Sequence, residues 1–202
     1  MRRNKMFMGA LVMSIALVAA GCAKPPQQEV DALKANIASA EAEATKYASD
    51  AWAKTTDAMN QVNAELEAQN AKFALFRSYS KTKELIAAAN ASVEEAKTAA
   101  VAGKEKAKAD AQAAVDAAKA SLTAASATMT TLEGCKKKPK GFAKDMEMLK
   151  ANWDGLNAQT ADLDAKIAAE DFAGAKSAAD ALKASADTLG ADLTAAKDKI
   201  KC

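Results

Sequence analysis

Between Pro26 and Gly134 the chain contains one glycine, Gly103, and no proline. These two residue types are the strongest interruptions of a helix, costing about 1 and 3 kcal/mol relative to alanine in its interior. They also supply most of the tight turns that sheets need. So long a stretch without them, and rich in alanine, has few ways to fold except as helix. Apolar residues make up 50% of the sequence but aromatics only 4%. The core is therefore built from small side chains that each bury little area. The expectation is an all-α protein of long helices with thin seams.

The seams can be read directly. Phe142, Met146, Leu149, Trp153, Leu156, Thr160, Leu163 and Ile167 step alternately by four and three. Phe172, Ala175, Ala179, Leu182, Ala186, Leu189, Leu193, Ala196 and Ile200 alternate by three and four in the same way. Such spacing marks coiled-coil-like packing. Asp171, between the two stripes, is a natural N-cap. Residues 142–202 therefore read as a C-terminal helical hairpin. Ile86, Ala89, Val93, Ala96 and Ala100 form another stripe, continued by Val115, Ala118, Leu122, Ala125, Met129 and Leu132. Gly103 is the weak point of that helix. Towards the N-terminus one stripe runs from Val30 through Leu33, Ile37, Ala40, Ala44 and Tyr47 to Ala51. A second, Trp52, Met59, Val62, Leu66, Phe73 and Phe76, is shifted by one residue. The shift implies an eleven-residue drift or a kink near Tyr47-Ala48-Ser49-Asp50. Residues 29–132 are expected to form one long alanine-rich helical hairpin, reversing near Gln69-Asn70-Ala71 or Ser78-Tyr79-Ser80. The alternative is a single unbroken helix from about 28 to about 132. Gly134, Pro139 and Gly141 end it, and residues 133–141 form a lysine-rich loop between the two hairpins.

The first residues are of another kind. Arg2, Arg3 and Lys5 precede an apolar run, Met6 to Ala20, too short for a typical membrane-spanning helix. It ends at Ala19-Ala20-Gly21-Cys22. This ending resembles the bacterial lipobox, with Ala19 where the pattern prefers a branched apolar residue. The resemblance implies a signal peptide over 1–21, cleavage between Gly21 and Cys22, and a thioether-linked diacylglycerol plus an N-acyl chain, such as palmitate, on Cys22. Several acyl chains on one residue anchor stably. Ala23 rather than Asp follows the cysteine, which favours the outer membrane facing the periplasm. Residues 22–28, with Pro25 and Pro26, form a short lipidated tether.

Charge excludes more than it suggests. Lys and Arg total 28 and Asp and Glu 26. Three of the bases fall in the leader, so the mature part carries a slight acidic excess and no basic field for nucleic acid. Histidine is absent, which removes the commonest general base and metal ligand. The serines and threonines have no histidine partner. No catalytic residue, metal site or cofactor is expected beyond the lipid on Cys22, and the chain does not read as an enzyme.

Of the three cysteines, Cys22 is the lipid acceptor. Cys135 and Cys202 flank the C-terminal hairpin at nearly equal distances from its turn. An oxidising compartment permits disulfides, and Cys135 and Cys202 are expected to pair as a clasp at the open end of the hairpin. Lys136, Lys137, Lys138 and Lys140 beside it are candidates for contact with an anionic surface. Phe73, Phe76 and Tyr79, with Leu75, are a candidate docking tip at the first reversal.

Taken whole, residues 22–202 resemble the alanine-rich helical lipoproteins of Gram-negative bacteria. One such group has an alanine-patterned helix, a Tyr-Ala-Pro turn and further helices of the same kind. Tyr47-Ala48-Ser49-Asp50 stands at the corresponding place and lacks the proline that would enforce a sharp turn. A looser likeness is to murein lipoprotein, an acylated coiled coil. Its terminal lysine linkage does not carry over to Lys199-Ile200-Lys201-Cys202. The resemblance implies a lipid-anchored, non-enzymatic envelope protein with a structural or partner-binding role. Its partners would be the membrane and either an envelope protein or a second copy. The alternative is a binding module that shelters a lipid or other apolar small molecule between its helices.

Overall fold

The structure, a computed structural model, describes residues 24–201. Gly21, Cys22 and Cys202 lie outside the described residues. Those described are all-helical, with no strand among them. The helices are α1 (Gln27–Tyr47), α2 (Ser49–Asn70), α3 (Ser80–Glu133), α4 (Phe142–Ala158), α5 (Thr160–Ala168) and α6 (Phe172–Ile200), with a 3-10 turn at Ala74–Phe76 between α2 and α3. Two compact units divide inside α3, between Gly103 and Lys104.

In the first unit, α1 runs alongside α3 in the same direction. Glu29 pairs with Lys83 at 3.3 Å, and the Asn36 amide donates to Asn90 at 3.1 Å. α2 runs the other way. Lys54 meets Glu95 at 3.2 Å, the Thr55 hydroxyl donates to the Ser92 carbonyl at 3.1 Å, and Lys81 meets Glu65 at 3.2 Å. Val30 and Leu33 from α1, Val62 from α2 and Ile86 and Val93 from α3 share one core.

Residues 29–132 are therefore not one long hairpin, nor one helix. The chain reverses first at Ala48, whose backbone (φ −144°, ψ 48°) is all that separates α1 from α2. It reverses again over residues 71–79. No proline is needed for the first reversal. Ala44, Ala96 and Ala100 are buried together there, with Tyr47, Ala48, Ala51 and Trp52 packed around them. Side chains this small let helices approach closely. The Ala48 N–H still reaches the Ala44 carbonyl at 2.8 Å, and its own carbonyl accepts from Trp52 at 2.9 Å. The one-residue shift between the Ala51 and Trp52 stripes is the trace of this reversal in the sequence.

Gly103 takes on a different meaning here. It lies within α3, where the end of α1 abuts it. A Cβ built on it would overlap the Tyr47 carbonyl oxygen and lie 3.2 Å from the Tyr47 Cβ. The clash is with backbone, which cannot swing away. Gly103→Ala should therefore destabilise by about 1–3 kcal/mol, although alanine is the better helix former by about 1 kcal/mol. A Cβ added to Gly155 in α4 would meet nothing within 4 Å, and Gly155→Ala should stabilise by about 0.5–1 kcal/mol. Urea denaturation of the two variants checks the pair. Equal stabilisation by both would show that α1 does not end against Gly103.

In the second unit the remainder of α3 is met by α4 and α5 running against it. The Trp153 indole donates to the Leu122 carbonyl at 2.9 Å, Lys119 pairs with Asp164 at 2.7 Å and Lys104 with Glu170 at 2.7 Å. α6 returns in the direction of α3, with Asp187 beside Ser121. The turn before α6 places Glu170 at φ 57°, and the Asp171 carboxylate caps the Gly174 N–H at 3.1 Å. Val115, Leu122, Leu163 and Leu182 form one core cluster. Leu132, Met146, Leu189 and Leu193 form a second. The lysine-rich loop therefore joins two helices of the same unit and is not a boundary between units. The division falls immediately after Gly103, the one glycine of α3, although the helix itself is unbroken across it.

Candidate functional site

Two surfaces stand out, one in each unit. In the second unit, α3 ends at Glu133 and the chain crosses to α4 through Gly134 and Gly141, the latter at φ 94°. Cys135 lies on this crossing. It is buried with Leu132, Met146 and Leu193, and Ile200 near the chain end packs against the same cluster. Cys135 is disulfide-bonded. Its expected partner, Cys202, falls outside the described residues, next to Lys201.

Beside this point is an open cleft of about 610 Å³. Its apolar floor is Phe142, Met146, Leu149, Ala196 and Ile200. Its rim carries Lys137, Lys138 and Lys140 from the loop and Lys199 and Lys201 from α6 and its C-cap, with Asp145 the one acid among the described residues that line it. The Lys138 ammonium sits 6.0 Å from the centre of the Phe142 ring. All four loop lysines are exposed, but Lys136 does not line the cleft. An apolar floor with a cationic rim suits an amphiphile with an acidic head. Clustering along the chain makes the lysine run visible in the sequence. The floor residues read in the sequence only as seam positions, and Ala196, Lys199, Ile200 and Lys201 reach the site only where the end of α6 returns to the crossing.

In the first unit the candidate docking tip divides. Phe73, Leu75 and Phe76 are 70%, 53% and 74% exposed, and the two phenyl rings lie 6.4 Å apart. Tyr79 is instead buried, at 4% exposure, and its hydroxyl donates to the Asn70 side chain at 2.9 Å. It is therefore a support for the loop and not part of the displayed surface. Sequence proximity grouped the three aromatics, and the direction of each side chain separates them.

The loop is firmly braced. The buried Gln69 side-chain oxygen accepts from the Ser78 N–H at 3.0 Å and from Lys72 at 3.1 Å, while its amide donates to Glu65 at 2.7 Å. Hydrogen bonds from Gln69 and then Lys81 hold the Glu65 carboxyl below the usual carboxylate range. Arg77 donates to the Lys72 and Asn70 carbonyls, both at 2.9 Å. With its backbone groups occupied in this way, the loop holds its large apolar side chains in water.

Among the described residues no group of three or more His, Cys, Asp or Glu side chains is placed to hold a metal ion. No helix among them is long and apolar enough to cross a membrane. No protein family, curated protein or solved structure matches the chain.

Proposed function

We propose that this is a lipid-anchored, non-enzymatic protein of the cell envelope. It is held through Cys22 on the periplasmic face of the outer membrane and works through its helical surfaces in a structural or partner-binding role. The observation that carries the reading is the position of the acceptor cysteine. Cys22 ends a lipobox-like leader only four residues before Pro26, and Pro26 is buried at the start of α1. The acyl chains are thus presented on a short tether from a folded body. In this reading the helices act as antiparallel hairpins with coiled-coil-like seams, as in the alanine-rich lipoproteins that the chain resembles. Their exposed faces carry mixed charge, including the spaced pairs Lys176–Asp180 and Lys183–Asp187. That pattern suits soluble, reversible contacts. Photocrosslinking in cells from exposed positions on each unit tests the role. Repeated capture of one envelope protein, or of a second copy, is the expected result. Several positions yielding no crosslink would sink it.

One observation favours a second reading, a binding module for an amphiphile. The cleft between the lysine-rich crossing and the end of α6 joins an apolar floor to five lysines. Native mass spectrometry of the unacylated protein distinguishes the two. A copurifying acidic amphiphile, lost when Lys137, Lys138 and Lys140 become alanine, supports the binding module. Absence of any bound molecule leaves the structural role.

A further inference from the structure

The place where the tether leaves the first unit has a consequence for the exposed loop. Glu29, in the first turn of α1, pairs with Lys83, in the first turn of α3. Lys81, still nearer the start of α3, pairs with Glu65 near the end of α2. The beginning of α1, the end of α2 and the beginning of α3 therefore lie at one end of the unit. The loop carrying Phe73, Leu75 and Phe76 closes that same end. Pro26 is buried there, which fixes the point where the tether emerges. It stands four residue-to-residue steps along the chain from Cys22. At no more than about 3.5 Å each, they keep the acylated residue within about 14 Å of Pro26.

We propose that Phe73, Leu75 and Phe76 form a second membrane contact, inserting at the surface of the leaflet that holds the acyl chains of Cys22. The proposal rests on the lipid-anchor reading. It adds that the first unit is seated on the bilayer by this end and does not swing on its tether. Large apolar side chains held in water by a braced loop are costly unless something covers them. The tether brings a hydrocarbon surface within reach, and aromatic side chains favour the membrane interface. Charge agrees. From residue 68 to 83 the chain carries Lys72, Arg77, Lys81 and Lys83 and no acid. Glu65 and Glu29 pair with Lys81 and Lys83. The bonds that Lys72 and Arg77 make to Gln69 and to loop carbonyls leave their positive charge in place, and with Lys24 on the tether they present it to anionic headgroups.

The test uses the mature acylated protein in vesicles of phosphatidylethanolamine and phosphatidylglycerol, with and without brominated acyl chains. Phe76→Trp adds an indole at an exposed position, where folding is undisturbed. Trp52 and Trp153, packed within their units, supply the baseline. The expected result is that bromination removes at least half of the added emission and leaves the baseline unchanged. Added emission that is not quenched, from acylated protein that still floats with the vesicles in high salt, overturns the proposal and leaves the anchor intact. If that protein also crosslinks to itself through the loop, a second copy covers the surface. Protein that fails to float and has no acyl mass on Cys22 overturns both readings together.

Discussion

Cys135→Ser is expected to lower the stability of the second unit by about 4 kcal/mol. Cys135 is disulfide-bonded and buried. Paired with Cys202 it would close a loop of roughly 68 residues, and the chain-entropy model gives a loop of this length about 4 kcal/mol of stabilisation. The substitution is otherwise mild. The Cys135 sulfur lies 3.2 Å from the Thr131 carbonyl, so a serine hydroxyl there has an acceptor and is not left buried without a partner. The loss should therefore report the covalent link. Urea denaturation should show a lower midpoint for the variant and for the reduced native protein. Helical circular dichroism in water should persist, because Leu132, Met146, Leu189 and Leu193 still pack. Peptide mapping should recover Cys135 joined to Cys202. An unchanged midpoint on reduction, or a link between chains, would contradict the intramolecular clasp.

Cys22→Ala should have the largest effect in the cell, abolishing acylation altogether. A thioether-linked lipid needs the thiol, and no neighbouring residue supplies one. Each buried methylene contributes about 0.8 kcal/mol to membrane attachment, so losing two or more chains removes far more than any surface contact of the folded part could restore. The variant should accumulate as a precursor that retains residues 1–21 and takes up no labelled palmitate. Gel mobility and metabolic labelling check this. Normal labelling would show that the lipid is carried elsewhere.

Helix content and the faces of the helices were legible because both rest on local rules. Leu163, Leu182, Leu189 and Leu193 are buried, as their spacing requires. The path of the chain was harder to read. A proline or glycine signals a turn by what it does to the backbone, whereas the reversal at Ala48 depends on neighbours distant in sequence. Ala44 must find Ala96 and Ala100, and nothing in the local sequence says that it will. The phase slip between Ala51 and Trp52 recorded the event but was equally consistent with a gradual drift, and Tyr47-Ala48 lacks the proline that marks the turn in the lipoproteins it resembles. Gly103 misled in the opposite sense. A lone glycine in a helix reads as a weakness, but this one makes room for the Tyr47 carbonyl. The same limit applied to the candidate surfaces. The sequence supplied Lys137, Lys138 and Lys140, and Phe73 and Phe76, because they are clustered along the chain. It could not bring Ala196, Lys199, Ile200 and Lys201 to the same cleft, because the fold supplies them from the far end of α6.

The most direct test of the lipid-anchor reading is the intact mass of the protein extracted from separated inner and outer membranes. The chain should begin at Cys22, carry the added mass of a diacylglycerol and an N-linked acyl chain, and be concentrated in the outer-membrane fraction. A chain that begins at any other residue, or begins at Cys22 without acyl mass, would contradict it.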